Sequence, residues 1–505
     1  MPATTSEKIT LTYPLYSADF LDGDRLVVGG GGGEGRSGVG NKITLLDVSK
    51  STSSQSATST NIVQLAEYDL GTSEDSCMSM AVARPSPSNN KKSKPCTPTL
   101  LAGVNSAESQ QREGKNEHFR VFSIASDSIT AETKKQLFTS YKTVDVYQRV
   151  LRSRGSLAAT ATGGGKSNFE LLVVSTTDYT VKRRIATESE VADLDLTDDG
   201  TLAYCTAKEI FITPATATSS APNRLNFQPT PPIPGAFRSL RFLGNDRIVA
   251  VMNAPARSGA ELLLLDATTG SIVTRKKLHS GIKAATGLDV ADLFSGSGAI
   301  AVSGADQSLE ILSVENHDSP RIKRAQLFRG VHPFQISKVV FSPPPPVAPP
   351  SAASADVEEN EEAPKGIRVA TTSVGNSIVV HTLPLVASGD GYALLRSGAV
   401  ARQTAISVLL SLVAVMVFAV LMQVVFVKRG GLSGLQGLVP PIPLGLSEAA
   451  RGLERDVDAL IAGLKSGAAT DPFDGGAVVE ENSVREELLK TVGVKQEQEQ
   501  EKEEL

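Results

Sequence analysis

The stretch Leu194–Ile212, LDLTDDGTLAYCTAKEIFI, decides the fold. Short apolar runs (LDL, LAYC, EIFI) alternate with turn residues (Thr-Asp-Asp-Gly, then Thr-Ala-Lys). Runs of this length, bounded by Asp and Gly and carrying no 3.6-residue period, read as successive antiparallel strands joined by tight turns. The same phrase recurs at Leu240–Asp266 and Leu288–Val314, and again, interrupted by an insertion, at Val339–Leu383. Repeat starts fall near Tyr13, Ser76, Val144, Glu190, Ala236, Ala284 and Gln335. The later spacings are close to the roughly 40–50 residues of a four-stranded propeller blade.

Seven starts predict an all-β, seven-bladed β-propeller over residues 1–385, with degenerate WD-type repeats that lack any Trp-Asp dipeptide. The last repeat shows three strands, Ile336–Ser342, Ile367–Thr372 and Ser377–Leu383. The strand Lys8–Tyr13, ahead of the first repeat, is free to supply the fourth, and closing the ring this way removes an exposed sheet edge. The polar stretches Ser51–Thr60 and Ser86–Pro98 read as inserts, and the proline-rich then acidic Pro343–Pro364 as a loop with nothing to bury.

Beyond the repeats, Thr404–Val427 (TAISVLLSLVAVMVFAVLMQVVFV) carries no charge. About 20 apolar residues in helical rise cross a bilayer core of about 30 Å, so this segment is expected to span a membrane. Residues 386–403 then form a juxtamembrane linker and 428–505 a tail. Flanking basic residues nearly balance (Arg396 and Arg402 against Lys428 and Arg429), so orientation rests on translocation. Met1–Thr12 has no signal-peptide pattern, which favours an N-terminal domain in the cytosol and a luminal tail. The final Lys502-Glu503-Glu504-Leu505 is one change from a luminal retrieval signal.

The 505-residue chain has a formal net charge of −5, which gives a nucleic-acid partner no electrostatic support. Its three cysteines, Cys77, Cys96 and Cys205, show no CxxC pairing and read as reduced thiols. The five histidines have no metal-ligand spacing, and His332, in Gly330-Val331-His332-Pro333-Phe334, reads as a surface loop residue. No nucleophile–base constellation stands out, which argues against covalent chemistry.

The most unusual segment is Gly29–Asn41, GGGGGEGRSGVGN, between strands Arg25–Val28 and Lys42–Val48. Gly30, Gly32 and Gly35 satisfy GxGxxG, but a strand follows where a dinucleotide site needs a helix N-terminus. Two readings of the residues stand: a flexible hairpin, which the composition favours, and a loop whose carbonyls converge on an alkali cation. Gly163-Gly164-Gly165-Lys166-Ser167 lacks the upstream glycine of a phosphate-binding loop, since Thr160 occupies that place, and reads as a polar hairpin.

The opening Tyr13–Phe20, the glycine run with its Asn41-Lys42-Ile43-Thr44 exit, the Asp75-Ser76 segment and Val331–Val340 together resemble a known family. It comprises the endoplasmic-reticulum guanine-nucleotide exchange factors for the small GTPase of the COPII coat. The resemblance implies a cytosolic seven-bladed propeller, one membrane span and a luminal tail. It also implies a glycine loop that holds a potassium ion through carbonyls of Gly30, Gly31, Gly32 and Gly33 and bears on the GTPase. Gly35, Gly38, Asn41 and His332 are then expected to act in exchange, and Glu34, Lys42, Asp75 and Ser76 to contact the partner. Ser76-Cys77 departs from the family's Ser-Pro. The rival expectation is a membrane-tethered propeller scaffold without exchange activity.

Overall fold

In the computed structural model, the described residues are 4–35, 38–49, 62–71, 73–84, 98–139, 146–218, 220–225, 234–294, 297–315, 319–346 and 366–395, with 411, 415, 416 and 418. The chain divides into two compact units, Met1–Leu409 and Leu410–Leu505.

Seven antiparallel sheets make up the first unit. The first is β2 (Leu15–Phe20), β3 (Arg25–Gly30), β4 (Lys42–Asp47) and β5 (Val63–Asp69), and the second is β6 (Cys77–Ala83), β7 (Thr99–Val104), β8 (Phe119–Ile124) and β9 (Ile129–Lys135). The third runs through β10 (Tyr147–Arg154), β11 (Leu157–Gly163), β12 (Phe169–Ser175) and β13 (Val181–Thr187). The fourth and fifth run from β14 (Asp193–Leu196) to β17 (Asn223–Arg224) and from β18 (Ala236–Leu243) to β21 (Ile272–Lys277). The sixth runs from β22 (Ala285–Asp292) to β25 (Arg321–Phe328). The last is β26 (Ile336–Phe341), β27 (Gly366–Ser373), β28 (Ser377–Ser388) and, from the other end of the chain, β1 (Thr5–Thr10). The expected ring closure is thus observed: β1 pairs antiparallel with β28 from Thr5↔Thr382 to Thr10↔Ser377.

Stacking explains the sequence pattern. The middle strands of a blade lie between two neighbouring blades, so β4 (KITLLD) and the strand Ala260–Asp266 (AELLLLD) are buried on both faces and read as unbroken apolar runs. The outer strand β13 (VKRRIAT) meets solvent on one face and alternates. Each apolar cluster joins adjacent blades; one packs Phe20, Leu26 and Leu46 of the first against Val340, Ile378 and Val380 of the last. Carboxylates stitch the inner strands as well. Asp19 accepts the Val82 N–H at 2.8 Å, Asp195 the Phe242 N–H at 2.9 Å and Asp289 the Phe341 N–H at 2.8 Å, each reaching into the next blade.

One expected boundary moves. The last blade does not end at residue 385: β28 continues to Ser388, turns at Gly389 and Asp390 and pairs with β29 (Gly391–Leu394). Tyr392 is buried in the cluster with Leu293, Phe341 and Leu385, so the start of the expected linker is part of the propeller. Most of Thr404–Val427 lies outside the described residues; the four that are described, Ser411, Val415, Met416 and Phe418, are helical and exposed. Among the described residues no helix is long and apolar enough to cross a membrane. The tail from residue 428, the inserts Ser51–Thr60 and Ser86–Pro98 (apart from Pro98), and Pro343–Pro364 apart from its first four residues, 343–346, lie outside the described residues too.

Candidate functional site

The glycine segment leaves β3 at Gly30, which lies opposite Leu15, the first residue of the inner strand β2. It therefore stands on the face where inner strands begin, together with the connections that lead from one blade to the next. Two close approaches explain why glycine is needed at its base. A Cβ on Gly30 would strike the Pro14 carbonyl, and one on Gly31, held at φ +144°, would strike the Asn41 side chain and lie 2.6 Å from its Cα. Gly32, Gly35 and Gly38 are exposed, and Gly33 is half-buried. Arg36 and Ser37 lie outside the described residues.

Asn41 organises the segment. It is fully buried, and its Oδ1 accepts the Gly33 N–H at 2.9 Å and the Ser76 hydroxyl at 3.4 Å. Its Nδ2 faces three carbonyls, Gly33 and Gly71 at 3.2 Å and Glu74 at 2.6 Å. One side chain thus ties the start of the loop to its exit and both to the connection entering the second blade. That connection is itself fixed, since the Glu74 carboxylate bridges Arg120 at 3.0 Å and Lys134 at 2.9 Å. The Asp75 N–H donates to the Asn105 carbonyl at 3.1 Å. On the outer side Glu34 accepts the N–H of Glu108, at the start of the short helix α1 (Glu108–Arg112). Beneath, Tyr13 donates to or accepts from Thr44 at 2.6 Å, and Val39 packs against the cluster between the first and last blades.

The structure brings most of the sequence-selected residues together: Gly30–Gly35, Gly38, Asn41, Lys42, Asp75 and Ser76 share one corner. Their exposure divides them. Glu34, Gly35 and Gly38 face outward, whereas Ser76, 4 % exposed, lies under the loop with its hydroxyl on Asn41. Lys42 is drawn along the sheet to Glu67 at 2.5 Å. His332 departs from the surface-loop expectation. It is 3 % exposed, with Nδ1 at 2.7 Å from the Ser377 hydroxyl and Nε2 at 2.8 Å from that of Thr371. Burial, then the nearby Lys8 charge, push it down to about 4, so it is neutral at pH 7 and holds the closing blade together. A proline-flanked histidine before a strand carries no sign of the two hydroxyls that meet it from β27 and β28.

The oxygen atoms nearest the loop base are already engaged, so they do not by themselves form a cation site. The carbonyls of Gly33, Gly71 and Glu74 converge on the Asn41 Nδ2, which fills the point they share; the Ser76 hydroxyl donates to the Asn41 Oδ1, and the Asp75 carboxylate accepts the Ser76 N–H at 2.7 Å. Of the four glycines expected to supply carbonyls, Gly33 has its carbonyl in this group; Gly71 and Glu74, thirty-odd residues on, supply the others, which no local motif could have announced. At the two other motifs the expected hairpin is observed: Gly163 ends β11, β12 starts at Phe169, and Gly164 donates to Glu190 at 2.9 Å. Beyond Gly35 the described chain, 38–41, runs through coil into β4, so among the described residues the glycines do not open a helix as a dinucleotide site requires.

Fold and site together define a seven-bladed WD-type propeller carrying, on one face, a glycine loop whose base is pinned by Asn41. Curated relatives of this chain include one named as a guanine nucleotide-exchange factor and others named as putative ones. It is 24 % identical over 335 residues to the guanine nucleotide-exchange factor SEC12 of Candida glabrata, covering 66 % of each chain. It is 25 % identical over 395 residues to the putative guanine nucleotide-exchange factor SED4 of Saccharomyces cerevisiae, covering 76 % of this chain and 31 % of that one. The match thus spans about two thirds of one relative and under a third of the other. No protein-family model matches. Among solved structures, the WD40 domain of Toxoplasma gondii coronin aligns at TM-score 0.45 and 11 % identity, over 77 % of this chain and 88 % of that one.

Proposed function

We propose that this chain is a guanine nucleotide-exchange factor for the small GTPase of the COPII coat. In this reading it is held at the endoplasmic reticulum by one membrane span at Thr404–Val427, with the propeller cytosolic and the tail luminal. The observation that carries the reading is the pinned glycine loop: exposed Glu34, Gly35 and Gly38 stand on a base fixed by a fully buried Asn41. The similarity to SEC12 and SED4 supports it.

Exchange requires no bond to be made or broken in the factor. It requires tighter binding to the nucleotide-free GTPase than to the GDP-bound form, and the shift produced is limited to that difference. An exposed loop on a fixed base can press on a switch segment and displace the magnesium and phosphate contacts that hold GDP. A loop already ordered in the free factor loses less entropy on docking than a free glycine chain would. Potassium, when bound by the carbonyls of Gly30, Gly31, Gly32 and Gly33 as the family resemblance implies, would stiffen the loop further. Asn41, Asp75 and Ser76 act here as positioning residues, and His332 as a support of the closing blade.

The test is GDP release from the purified GTPase, driven by a soluble fragment ending after Leu395, with and without Gly31–Gly38. Loss of stimulation with the propeller still folded is expected. Unchanged release sinks the loop assignment and leaves a docking scaffold. Faster release in potassium than in sodium at equal ionic strength is the expected sign of the cation.

A further inference from the structure

The inner strands enclose a second feature that the exchange reading does not use. Where they begin, on the glycine-loop face, the central channel opens into a cavity of about 280 Å³ whose polar lining includes Tyr16, Tyr147, Arg149, Arg238 and Lys338. It has a floor. One level down, Arg241 bridges Asp193 at 2.6 Å and Asp289 at 3.2 Å, and Arg152 reaches the same Asp289 at 3.2 Å, closing the channel with paired charges.

The lining above that floor is not balanced. Asp193 is the one carboxylate among the residues that line the cavity, and Arg241 and the Leu240 N–H already occupy it. Arg149 has Glu190 at 2.9 Å. The side chains of Arg238 and Lys338 have no hydrogen-bond or ion-pair partner among the described residues; Arg149 lies beside Arg238 and Arg152 beside Lys338, and the carboxylates that act on them from farther off are Asp193 on both and Asp289 and Asp19 on Lys338. Half-buried cations without a direct ion pair are costly to keep in a folded core, and the cost is relieved by an anion that enters with them. The phenols of Tyr16 and Tyr147 add two hydroxyl donors at the rim. Two cations without an ion pair, a third shared one and two phenols lining one concave site match a tetrahedral dianion better than a planar carboxylate.

We propose that this cup at the mouth of the central channel binds a phosphate-bearing anion through Arg238 and Lys338, with Arg149 and the two tyrosines completing the shell. The chemistry is shared by free polyphosphates and by phosphorylated lipid headgroups. The proposal stands apart from exchange activity.

The test is calorimetric titration of the purified full chain in detergent with sodium pyrophosphate and, separately, with soluble glycerophosphoinositol bisphosphate. Saturable binding is expected. Arg238→Gln and Lys338→Gln should each weaken it at least tenfold, and Arg238→Lys should restore part of it. Without anion, both glutamine variants should melt no lower than the parent, because each removes an unpaired charge; a structural role would lower the melting temperature. Headgroup binding tenfold tighter than pyrophosphate assigns the lipid source, and comparable binding assigns a free anion. If neither probe binds, or the double variant binds as the parent does, the proposal is overturned. Deleting Gly31–Gly38 should leave anion binding intact, which separates failure here from failure of the exchange reading.

Discussion

Two glycine-rich connections lie on the same face of this propeller, one in the first blade between β3 and β4 and one in the third between β11 and β12. The second is a short turn, Gly164–Asn168, with Gly164 and Gly165 at φ +74° and +73° and a single side-chain contact to Glu190. The first is twice as long, yet a fully buried asparagine at its exit gathers it to the next blade. Glycine content therefore does not distinguish a turn from a presented loop. The difference lies in whether a polar side chain at the base satisfies the main-chain groups that a longer excursion leaves unpaired.

The sharpest way to break that comparison is Asn41→Ala. It strands the Gly33 N–H and up to three carbonyls, so the propeller should lose about 3 kcal/mol in urea unfolding and GDP release should fall toward the unstimulated rate. Asn168→Ala in the third blade should leave exchange untouched. Gly31→Ala comes next: a methyl group there meets Asn41 itself, and about 2 kcal/mol should be lost, with exchange reduced. Activity that survives either first-blade change would show that the base does not set the loop.

Acid sharpens the comparison from another side. His332 lies near 4 in the folded chain against 6.5 unfolded. Between those values the unfolded chain binds more protons, so its contribution is complete above pH 6.5 and is lost as pH falls toward 4. The slope is at most about 1.4 kcal/mol per pH unit. Amide protection at β1 and β28, corrected for the slower intrinsic exchange at lower pH, should drop from pH 7 to 5 well before that at the third-blade turn, and His332→Gln should reduce the difference, with His381 of β28, also lowered to about 4 by burial, supplying the rest. The smallest effect is expected from Gly165→Ala, about 1 kcal/mol for a side chain at positive φ, with exchange activity unchanged.

What was legible in the chain was what repeats. Starts read near Ser76, Glu190, Ala236, Ala284 and Gln335 fall within about three residues of β6, β14, β18, β22 and β26, because unbroken apolar runs and turns mark each blade. The closing strand was legible too, since the last repeat was one strand short. What escaped was assembled across blades. Asn41 reads as the end of a glycine run until Gly71 and Glu74 are brought to it. His332 reads as a loop residue until Thr371 and Ser377 surround it. Arg238 and Lys338, one per inner strand and a hundred residues apart, form no motif in one dimension.

The ring is sealed by residues at opposite ends of the propeller: Ser6 meets His381 at 2.7 Å across 375 positions. A ribosome adding about 5–20 residues per second needs on the order of 20–75 s to make that span. Throughout that time β1 has no strand beside it. A newborn chain therefore carries an unmatched sheet edge for most of its synthesis, and the first ten residues act last, as the latch on a structure whose other parts are already in place.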